Sequence, residues 1–371
     1  MKKGEVPPEL PRFDTLRFWV HRDPAAVDPP AAASSIEVRF YEADGGAYFC
    51  RQVTLDHVGW KQVEVPLKWV RWSDTRIPRW EQVDRLGFYF HDAADIVVDA
   101  CALTDELPPN AADARPGPGP DDIARLAFGA AADTERVRVA TGGPIVVITD
   151  APDLDPDALV AHLGRLAATI AVDTPFADEP AGPLMVVVFA DEEAYRQFPV
   201  DFAAALGGTV RPTQAGGITI RGIATSSWHP RYGTLRPVYT HEFIHALLSA
   251  TLRLDNKQEW FQEGMTTHYQ LRFHPQAGVE ADVVRSLDAA DENILREVGT
   301  GTGIPLERYR VAGTLCRMLL EDPDLAPRLP AMVAAMQKTG STALEPLLPV
   351  LGLTWAELDT RWRDFCRTTY Q

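Results

Sequence analysis

Residues 238–248 read Val-Tyr-Thr-His-Glu-Phe-Ile-His-Ala-Leu-Leu, and this stretch decides how the second half of the chain folds. Pro237 precedes it, where the first turn of a helix tolerates proline, and no later glycine or proline interrupts the run. Residues four apart lie on one face of a helix, so His241 and His245 can reach one metal ion. Glu242 beside them can address a water that the metal activates. Apolar side chains cover most other sides, which indicates a buried central helix.

A third metal ligand is supplied by the segment Trp-Phe-Gln-Glu-Gly-Met at residues 260–265. Glu263 lies 18 residues after His245, within a second predicted helix that extends to about Phe273. The turn signal Asp-Asn-Lys at residues 255–257 separates the two helices, so an antiparallel return can bring Glu263 over the histidines. A catalytic zinc site has three protein ligands and one open position for water. His241, His245 and Glu263 would be the three protein ligands.

The segment before these helices predicts a mixed α/β arrangement with a sheet beside the metal site. Continuous apolar runs indicate buried strands, and apolar residues at helical spacing indicate a helix between them. Residues 217–221 are expected to form an edge strand that pairs with an extended peptide substrate. The predicted elements are strands at 144–149, 184–190 and 216–223, a helix at 157–172, short helices at 191–198 and 201–206, and nearly continuous helix after Gly233.

Length and charge restrict the class of protein. The chain has 371 residues with 36 basic and 52 acidic side chains, and its net charge of −16 argues against a nucleic-acid partner. Two domains are expected at this length. Residues 108–122, rich in Pro and Gly, predict a linker between domains at 1–107 and 123–371, with a helical subdomain from about residue 275. No apolar run predicts a membrane span and no signal peptide is apparent, so extracytoplasmic and cytoplasmic locations are equally expected.

The first domain has the pattern of an all-β sandwich, with short alternating segments separated by turn residues. LRFWV, FCRQVTLDHVGWKQVEVPL, PRWEQVDRLGFYF and IVVDACAL resemble, in this order, the galactose-binding-like jelly-roll modules over residues 13–105. Such modules have more sequence before the first strand, so this one is expected to be truncated at its start or completed elsewhere. The resemblance implies a glycan partner. Candidate stacking residues are Trp60, Trp69, Trp72 and Trp80, although tryptophan in a sandwich more often packs in the core.

The second domain also resembles a known family. HEFIHALL at 241–248 and WFQEGMTTHY at 260–269 resemble the gluzincin zinc metallopeptidases, and among them the peptidase MA-like group, over roughly residues 140–371. The resemblance implies zinc ligation by His241, His245 and Glu263, with Glu242 as general base. Thermolysin-type members place an Asp one turn after the ligand Glu to orient a ligand His, and this chain has Thr267 there.

The family takes its oxyanion donor from the later helical region. Tyr309 is the candidate in this chain, and Tyr239 and His268 are its competitors. The other histidines, including His162 and His274, lack ligand spacing and are expected at the surface or in satisfied core positions. Cysteine spacing gives no metal motif and leaves two alternatives, free thiols or disulfides. The disulfide pairs would be Cys50–Cys101 and Cys316–Cys366.

The sequence therefore predicts an α+β multidomain protein, a jelly-roll-like sandwich followed by a zincin-like metallopeptidase domain. The expected activity is hydrolysis of peptide bonds in a peptide or protein through a zinc-activated water, with Glu242 as base. One alternative is a non-catalytic protein that binds glycan or cell wall on a zincin-like scaffold. Another is a zinc hydrolase of a different amide bond. The intact Glu242 favours an enzyme, because a binding protein has no need of the base.

Overall fold

The computed structural model describes residues 4–5, 13–23, 34–43, 47–72, 79–91, 96–106, 117–180, 182–275 and 293–370. Both sheets and helices are present, so the protein is of the α+β class, as predicted. Its contacts divide the chain into two compact units. The first comprises Met1–Ala127 together with Arg196–Thr213, and the second comprises Phe128–Tyr195 and Gln214–Gln371. The sequence division differs here, because it assigned residues 196–213 to the second domain.

The first unit contains two antiparallel sheets built from short strands. Their bounds are β1 Gly4–Glu5, β2 Phe13–Arg22, β3 Ser34–Glu42, β4 Tyr48–Leu55, β5 Gly59–Pro66, β6 Arg71–Trp72, β7 Val83–Phe90 and β8 Ile96–Glu106. The larger sheet has the order β1-β7-β3-β4-β6 and the smaller sheet has the order β5-β2-β8. The four segments quoted above, LRFWV, FCRQVTLDHVGWKQVEVPL, PRWEQVDRLGFYF and IVVDACAL, contribute to β2, β4, β5, β7 and β8.

The inward faces of the two sheets share one apolar core. Alternate residues of β2 and β3 are fully buried in it, as the strand period of two requires. This packing of one sheet on another is a β-sandwich. The central buried side chains are Leu16, Phe18, Val20, Ile36, Val38, Phe40, Val63 and Val65.

The predicted linker at 108–122 ends in a helix. Residues 108–116 lie outside the described residues, whereas Pro120 opens helix α1, Pro120–Phe128. Asp122 accepts a hydrogen bond from the backbone N–H of Gly119 at 3.1 Å and pairs with Lys68 at 2.9 Å. Proline is favoured at the first helical position, where its missing N–H costs nothing. A proline-rich run can therefore begin a helix as well as form a linker.

The second unit contains a five-stranded sheet whose order is β12-β13-β11-β10-β9. The strands are β9 Arg138–Gly142, β10 Ile145–Thr149, β11 Leu184–Phe189, β12 Gly217–Ile220 and β13 Ile223–Ser227. The three inner strands are parallel, and each edge strand is antiparallel to its neighbour. The single strand predicted at 216–223 is instead the first part of a hairpin. Arg221 and Gly222 both have positive φ, 50° and 80°, as a tight two-residue hairpin turn requires.

The remaining elements of this unit are helices. They are α2 Pro156–Asp173, α3 Glu192–Ala205, α4 Pro237–Leu252, α5 Trp260–Phe273, α6 Ile294–Val298, α7 Tyr309–Glu321, α8 Leu329–Thr339, α9 Leu348–Leu351 and α10 Trp355–Tyr370. Helix α3, which extends into the first unit, replaces the two short helices predicted around Pro199. Among the described residues, none of the helices combines the length and apolar character needed to cross a bilayer.

Helix α4 packs on β11, β12 and β13, and α5 packs against both α4 and α7. A glycine permits the close approach of α5 to α7. A Cβ at Gly264 would lie 2.5 Å from the carbonyl oxygen of Ala312 and 2.6 Å from Sγ of Cys316. The four cysteines are free, so the alternative of two disulfides is wrong.

Candidate metal and active site

Three predicted ligands meet between α4 and α5. His241 and His245 lie one turn apart on α4, and their Nε2 atoms are 3.2 Å apart. Oε2 of Glu263 on α5 lies 3.3 Å from Nε2 of His241 and 3.4 Å from Nε2 of His245. The turn between the helices thus returns Glu263 to the histidine pair. The structure brings these three residues together as a group that could hold a metal ion.

The Glu263 carboxylate is ionised, buried and incompletely satisfied. Its side chain is 2% exposed, and Oε2 has no hydrogen-bond partner in the described part of the chain. Burial alone would raise the pKa of Glu263, but His241 and His245 outweigh it and lower the pKa to about 2. A buried charge without full pairing is costly. A cation among the three ligand atoms would remove that cost.

The two histidines are oriented by glutamines of α5. Nδ1 of His241 lies 3.1 Å from Oε1 of Gln270, and Nδ1 of His245 lies 3.4 Å from Oε1 of Gln262. The Gln262 amide donates from Nε2 to the carbonyl oxygen of Leu254 at 3.2 Å, which fixes its orientation. An amide oxygen only accepts, so each Nδ1 donates its proton to a glutamine, and each Nε2 faces Glu263. Metal-ligating histidines are held in this way.

Thr267 does not take part in this orientation. It lies one turn after Glu263 and is buried against α7, where a Cβ on Gly313 would be 3.1 Å from its Cγ2. The orienting groups come from other turns of α5. Gln262 immediately precedes Glu263, and Gln270 lies two turns after it on the same face. Sequence reasoning missed both glutamines, and the spacing of seven from Glu263 to Gln270 was the available signal.

Glu242 faces the edge strand β12. The hydroxyl of Thr219 lies 2.8 Å from Oε2 of Glu242 and 2.7 Å from its backbone oxygen. Gly217 makes room for this side chain, since a Cβ there would lie 2.7 Å from Cγ and 2.9 Å from Oε1 of Glu242. The edge strand therefore contacts the predicted base directly. Neither Gly217 nor Thr219 had been assigned a contact with Glu242 from the sequence.

Tyr309, one of the three oxyanion candidates, lies against a ligand. Its ring is stacked on His241, with centroids 6.2 Å apart and planes 3° apart. Burial, followed by the Glu263 carboxylate, raises the pKa of Tyr309, so the phenol is protonated at neutral pH and can donate. Tyr239 instead donates to the carbonyl oxygen of Ser227 at 3.1 Å. His268 lines a separate cavity.

The tryptophans proposed for glycan stacking have different environments. Trp80 is buried and stacks on Phe49, with centroids 4.1 Å apart, so it belongs to the sandwich core. Trp69 and Trp72 are half-buried. Trp60 is 51% exposed on β5, and Trp19, which the sequence reasoning did not select, is 41% exposed on β2.

Strand register places the two exposed tryptophans on one face. Trp60 pairs with His21, and Gln62 pairs with Trp19. The His21 and Trp60 rings have centroids 5.2 Å apart. Alternate residues of a strand share a face, so Trp19 and His21 lie on the same outer side as Trp60.

Comparisons with known proteins add little to this geometry. No protein-family model matches the chain, and no curated protein sequence matches it. The solved structure of the ZmpB metallopeptidase from Clostridium perfringens aligns at 8% identity and a TM-score of 0.34, over 97% of this chain and 72% of that one.

Two further solved structures are similar at the same low level. The M60 catalytic domain of ZmpB with its CBM51-1 and CBM51-2 domains aligns at 7% identity and a TM-score of 0.33, over 97% of this chain and 38% of that one. A conserved protein of unknown function from Bacillus anthracis str. Ames, solved as a mutant, aligns at 12% identity and a TM-score of 0.29, over 99% and 77%. At such TM-scores the likeness carries no argument, and the site geometry stands by itself.

Proposed function

We propose that this protein is a zinc-dependent metallopeptidase with His241, His245 and Glu263 as zinc ligands. A tetrahedral zinc ion with bonds of about 2.0–2.1 Å places its ligand atoms about 3.3–3.4 Å apart. The three distances between the ligand atoms are 3.2, 3.3 and 3.4 Å. This triangle of two imidazole nitrogens and one carboxylate oxygen is the observation that carries the proposal.

The other residues of the site support hydrolysis. When bound, zinc acts as a Lewis acid and lowers the pKa of a water to about 7. Glu242 takes the water proton and returns it to the leaving amine. Thr219 donates to Oε2 of Glu242 and so fixes the carboxylate that accepts this proton. Tyr309 donates from its phenol to the oxyanion of the tetrahedral intermediate, and backbone groups of β12 pair with an extended substrate.

The non-catalytic alternative is disfavoured by the surroundings of Glu242. A scaffold that only binds has no need of a carboxylate beside the ligands, held by a threonine and given room by a glycine. Hydrolysis of another amide bond would use the same residues. The choice between a peptide and another amide depends on the substrate, and the position of β12 at the end of the sheet order favours an extended peptide.

Zinc content and cleavage of a mixed peptide library test the proposal together. The protein should bind about one zinc ion per chain and cleave the library. Glu242→Gln should keep the zinc and lose about 100-fold or more in rate, because only the base is removed. Glu297→Gln, which changes a surface carboxylate paired with Arg308, should retain full activity. An active Glu242→Gln variant would exclude Glu242 as the base, and a zinc-loaded protein that cleaves no peptide would exclude the peptidase.

The outer face of the smaller sheet supports a second proposal, that the sandwich binds glycan. Trp19 and Trp60 are exposed there beside His21, which gives aromatic faces next to hydrogen-bonding groups. In a glycan-array experiment, Trp19→Ala and Trp60→Ala should each weaken binding about tenfold. Phe90→Ala, which removes an exposed aromatic side chain from the larger sheet, is the matched control. Equal binding by all three variants would locate the glycan elsewhere or exclude it.

A further inference from the structure

The segment between β13 and α4 carries positive charge beside the proposed active site. Residues 228–241 include Arg231 and Arg236 but no aspartate or glutamate, although the whole chain has a net charge of −16. Both guanidinium groups contact the ring of Tyr232, at 5.6 and 5.5 Å from its centroid. Within the part of the chain that the structure describes, neither arginine forms an ion pair with a carboxylate. Two cationic groups without an anionic partner therefore lie in this segment.

Arg236 is held in a fixed orientation by neutral groups. Its Nη1 donates to the carbonyl oxygen of Ser227 at 2.7 Å and to the hydroxyl of Ser226 at 3.4 Å. The hydroxyl of Tyr239 contacts the guanidinium as well. These contacts orient the side chain without neutralising its charge. A guanidinium has five N–H donors, so Arg236 can bind a carboxylate while it keeps these contacts.

The guanidinium of Arg236 lies at the start of the edge strand β12. Its Nη2 is 3.5 Å from the position that a Cβ on Gly216 would occupy. The next residue, Gly217, contacts the predicted base, since a Cβ there would lie 2.7 Å from Cγ of Glu242. The Ser226 hydroxyl donates to the carbonyl oxygen of Gly216 at 2.6 Å and connects the arginine to this strand. Arg236 and Glu242 thus lie beside neighbouring residues of one strand, which are about 3.3 Å apart along it.

We propose that Arg236 binds a carboxylate of the substrate, so that the enzyme prefers peptides with an aspartate or glutamate close to the scissile bond. This inference rests on the proposed function, because it takes β12 as the strand with which an extended substrate pairs. A peptide whose scissile bond lies at Glu242 then places a side chain one or two residues away beside Arg236. The net charge of −16 gives no general attraction for acidic peptides, so the preference depends on this local group.

Peptide binding to an inactive form tests the proposal without relying on cleavage. The zinc-loaded Glu242→Gln protein is titrated with acetylated hexapeptide amides of alanine and phenylalanine, in which one Asp or Glu is moved through every position. The Asn and Gln peptides of the same sequences are the matched neutral ligands. At least one acidic peptide should bind about tenfold or more tightly than its neutral counterpart, because only the carboxylate forms a charged hydrogen-bonded pair. Equal binding of acidic and neutral peptides at every position would overturn the proposal.

Variants separate a substrate contact from a structural role of the arginine. Arg236→Gln should bring the ratio of acidic to neutral affinity close to one, and Arg236→Lys should keep part of the ratio. Arg138→Gln is the matched control and should keep all of it. Arg138 lies on β9, at the opposite end of the same sheet, and also donates to a backbone carbonyl oxygen, that of Ala151. Arg236→Lys is the second variant if the glutamine disturbs folding, because a lysine can still donate to Ser227.

The remaining outcomes distinguish this inference from the proposed peptidase activity. If Arg236→Gln weakened acidic and neutral peptides alike, the arginine would serve the fold alone and the inference would fail. An acidic peptide that coordinates zinc would keep its advantage in Arg236→Gln, which would also overturn the inference. If the wild type cleaved acidic and neutral peptides at equal rates, only the acidic preference would fail. Selective binding of acidic peptides without any cleavage by the wild type would instead exclude the peptidase and keep the carboxylate site.

Discussion

Helix α4 carries one pair of histidines and contacts a second pair, and the two pairs are arranged in opposite ways. His241 and His245 turn their Nε2 atoms toward one another and toward Glu263. His162 of α2 and His274, at the end of α5, instead turn their Nε2 atoms toward the hydroxyl of Thr240, at 3.0 and 2.8 Å. Thr240 directly precedes His241, so the two arrangements occupy adjacent positions of one helix.

The two pairs differ in the groups that their Nε2 atoms contact. A threonine hydroxyl can donate to one ring and accept from the other, so Thr240 satisfies both His162 and His274 without a charge. Burial lowers the pKa of both rings, and His162 reaches about 4. In the other pair the amide groups of Gln262 and Gln270 use Nδ1 and leave Nε2 beside an ionised carboxylate. Two Nε2 atoms that face an anionic third ligand distinguish this candidate metal site from a pair of satisfied core histidines.

The largest expected effect comes from replacing one histidine of each pair. His241→Ala should reduce bound zinc from about one equivalent to almost none, because two ligands remain. His274→Ala should keep the zinc, since it removes only a neutral hydrogen bond to Thr240. Elemental analysis of the two purified proteins makes the comparison. Loss of zinc from both, with both folded, would show that the pairs are not functionally separate.

Glycine substitutions at the start of β12 should have the next largest effect. A Cβ at Gly217 would displace Glu242 and Val238, whereas a Cβ at Gly216 would meet only Nη2 of Arg236 at an ordinary 3.5 Å. Gly217→Ala should therefore lower the hydrolytic rate about 100-fold with zinc retained, and Gly216→Ala should be nearly neutral. Steady-state kinetics and zinc content measure both effects. Similar rates for the two variants would contradict the contact between β12 and the base.

The sequence predicted the ligands but not the groups around them. Spacing alone places His241 and His245 on one face, and the turn at 255–257 predicts the return of Glu263. Gln270, Thr219 and Gly217 act through contacts between elements that are distant in sequence, which no local pattern records. The same holds for residues 196–213, whose helical pattern does not reveal the unit with which they pack.

Predictions from local sequence also failed where the same residue type occurs in two kinds of local structure. Pro120 was assigned to a linker, although proline begins helices as readily as it interrupts them. The alternating isoleucines at 218–223 predicted one strand. The tight turn at Arg221 and Gly222 contains a single glycine, which is a weak signal for a turn. Strands with clear alternation, such as β2, were predicted well because their inward residues form the core.

A smaller effect is expected from the groups that orient the ligands. Gln270→Met removes the acceptor for Nδ1 of His241 with little change in side-chain length, and it should weaken zinc affinity about tenfold. Gln337→Met, which removes an amide that donates to the carbonyl oxygen of Leu252, should leave zinc affinity unchanged. Competition with a chelator measures both affinities. An unchanged affinity in Gln270→Met would mean that the His241 ring is held by packing alone, for instance by the stacked Tyr309.

The smallest effect belongs to the satisfied pair and concerns stability instead of metal binding. Because the pKa of His162 is lowered to about 4, the unfolded chain binds its proton at higher pH than the folded protein. The contribution of neutral His162 to the free energy of unfolding should therefore be fully present above the unfolded pKa. It should fall by about 1–2 kcal/mol between about pH 7 and pH 5.

Denaturant titrations of the metal-free protein measure this loss without a contribution from zinc release. His162→Asn should reduce the dependence of the unfolding free energy on pH over that interval, because it removes one of the buried groups that take up a proton on unfolding. His229→Asn replaces an exposed histidine and should keep the dependence of the wild type. The histidine that Thr240 satisfies thus stabilises the fold only while it remains neutral. If His162→Asn retained the full dependence on pH, the second pair would not be the neutral counterpart of the first.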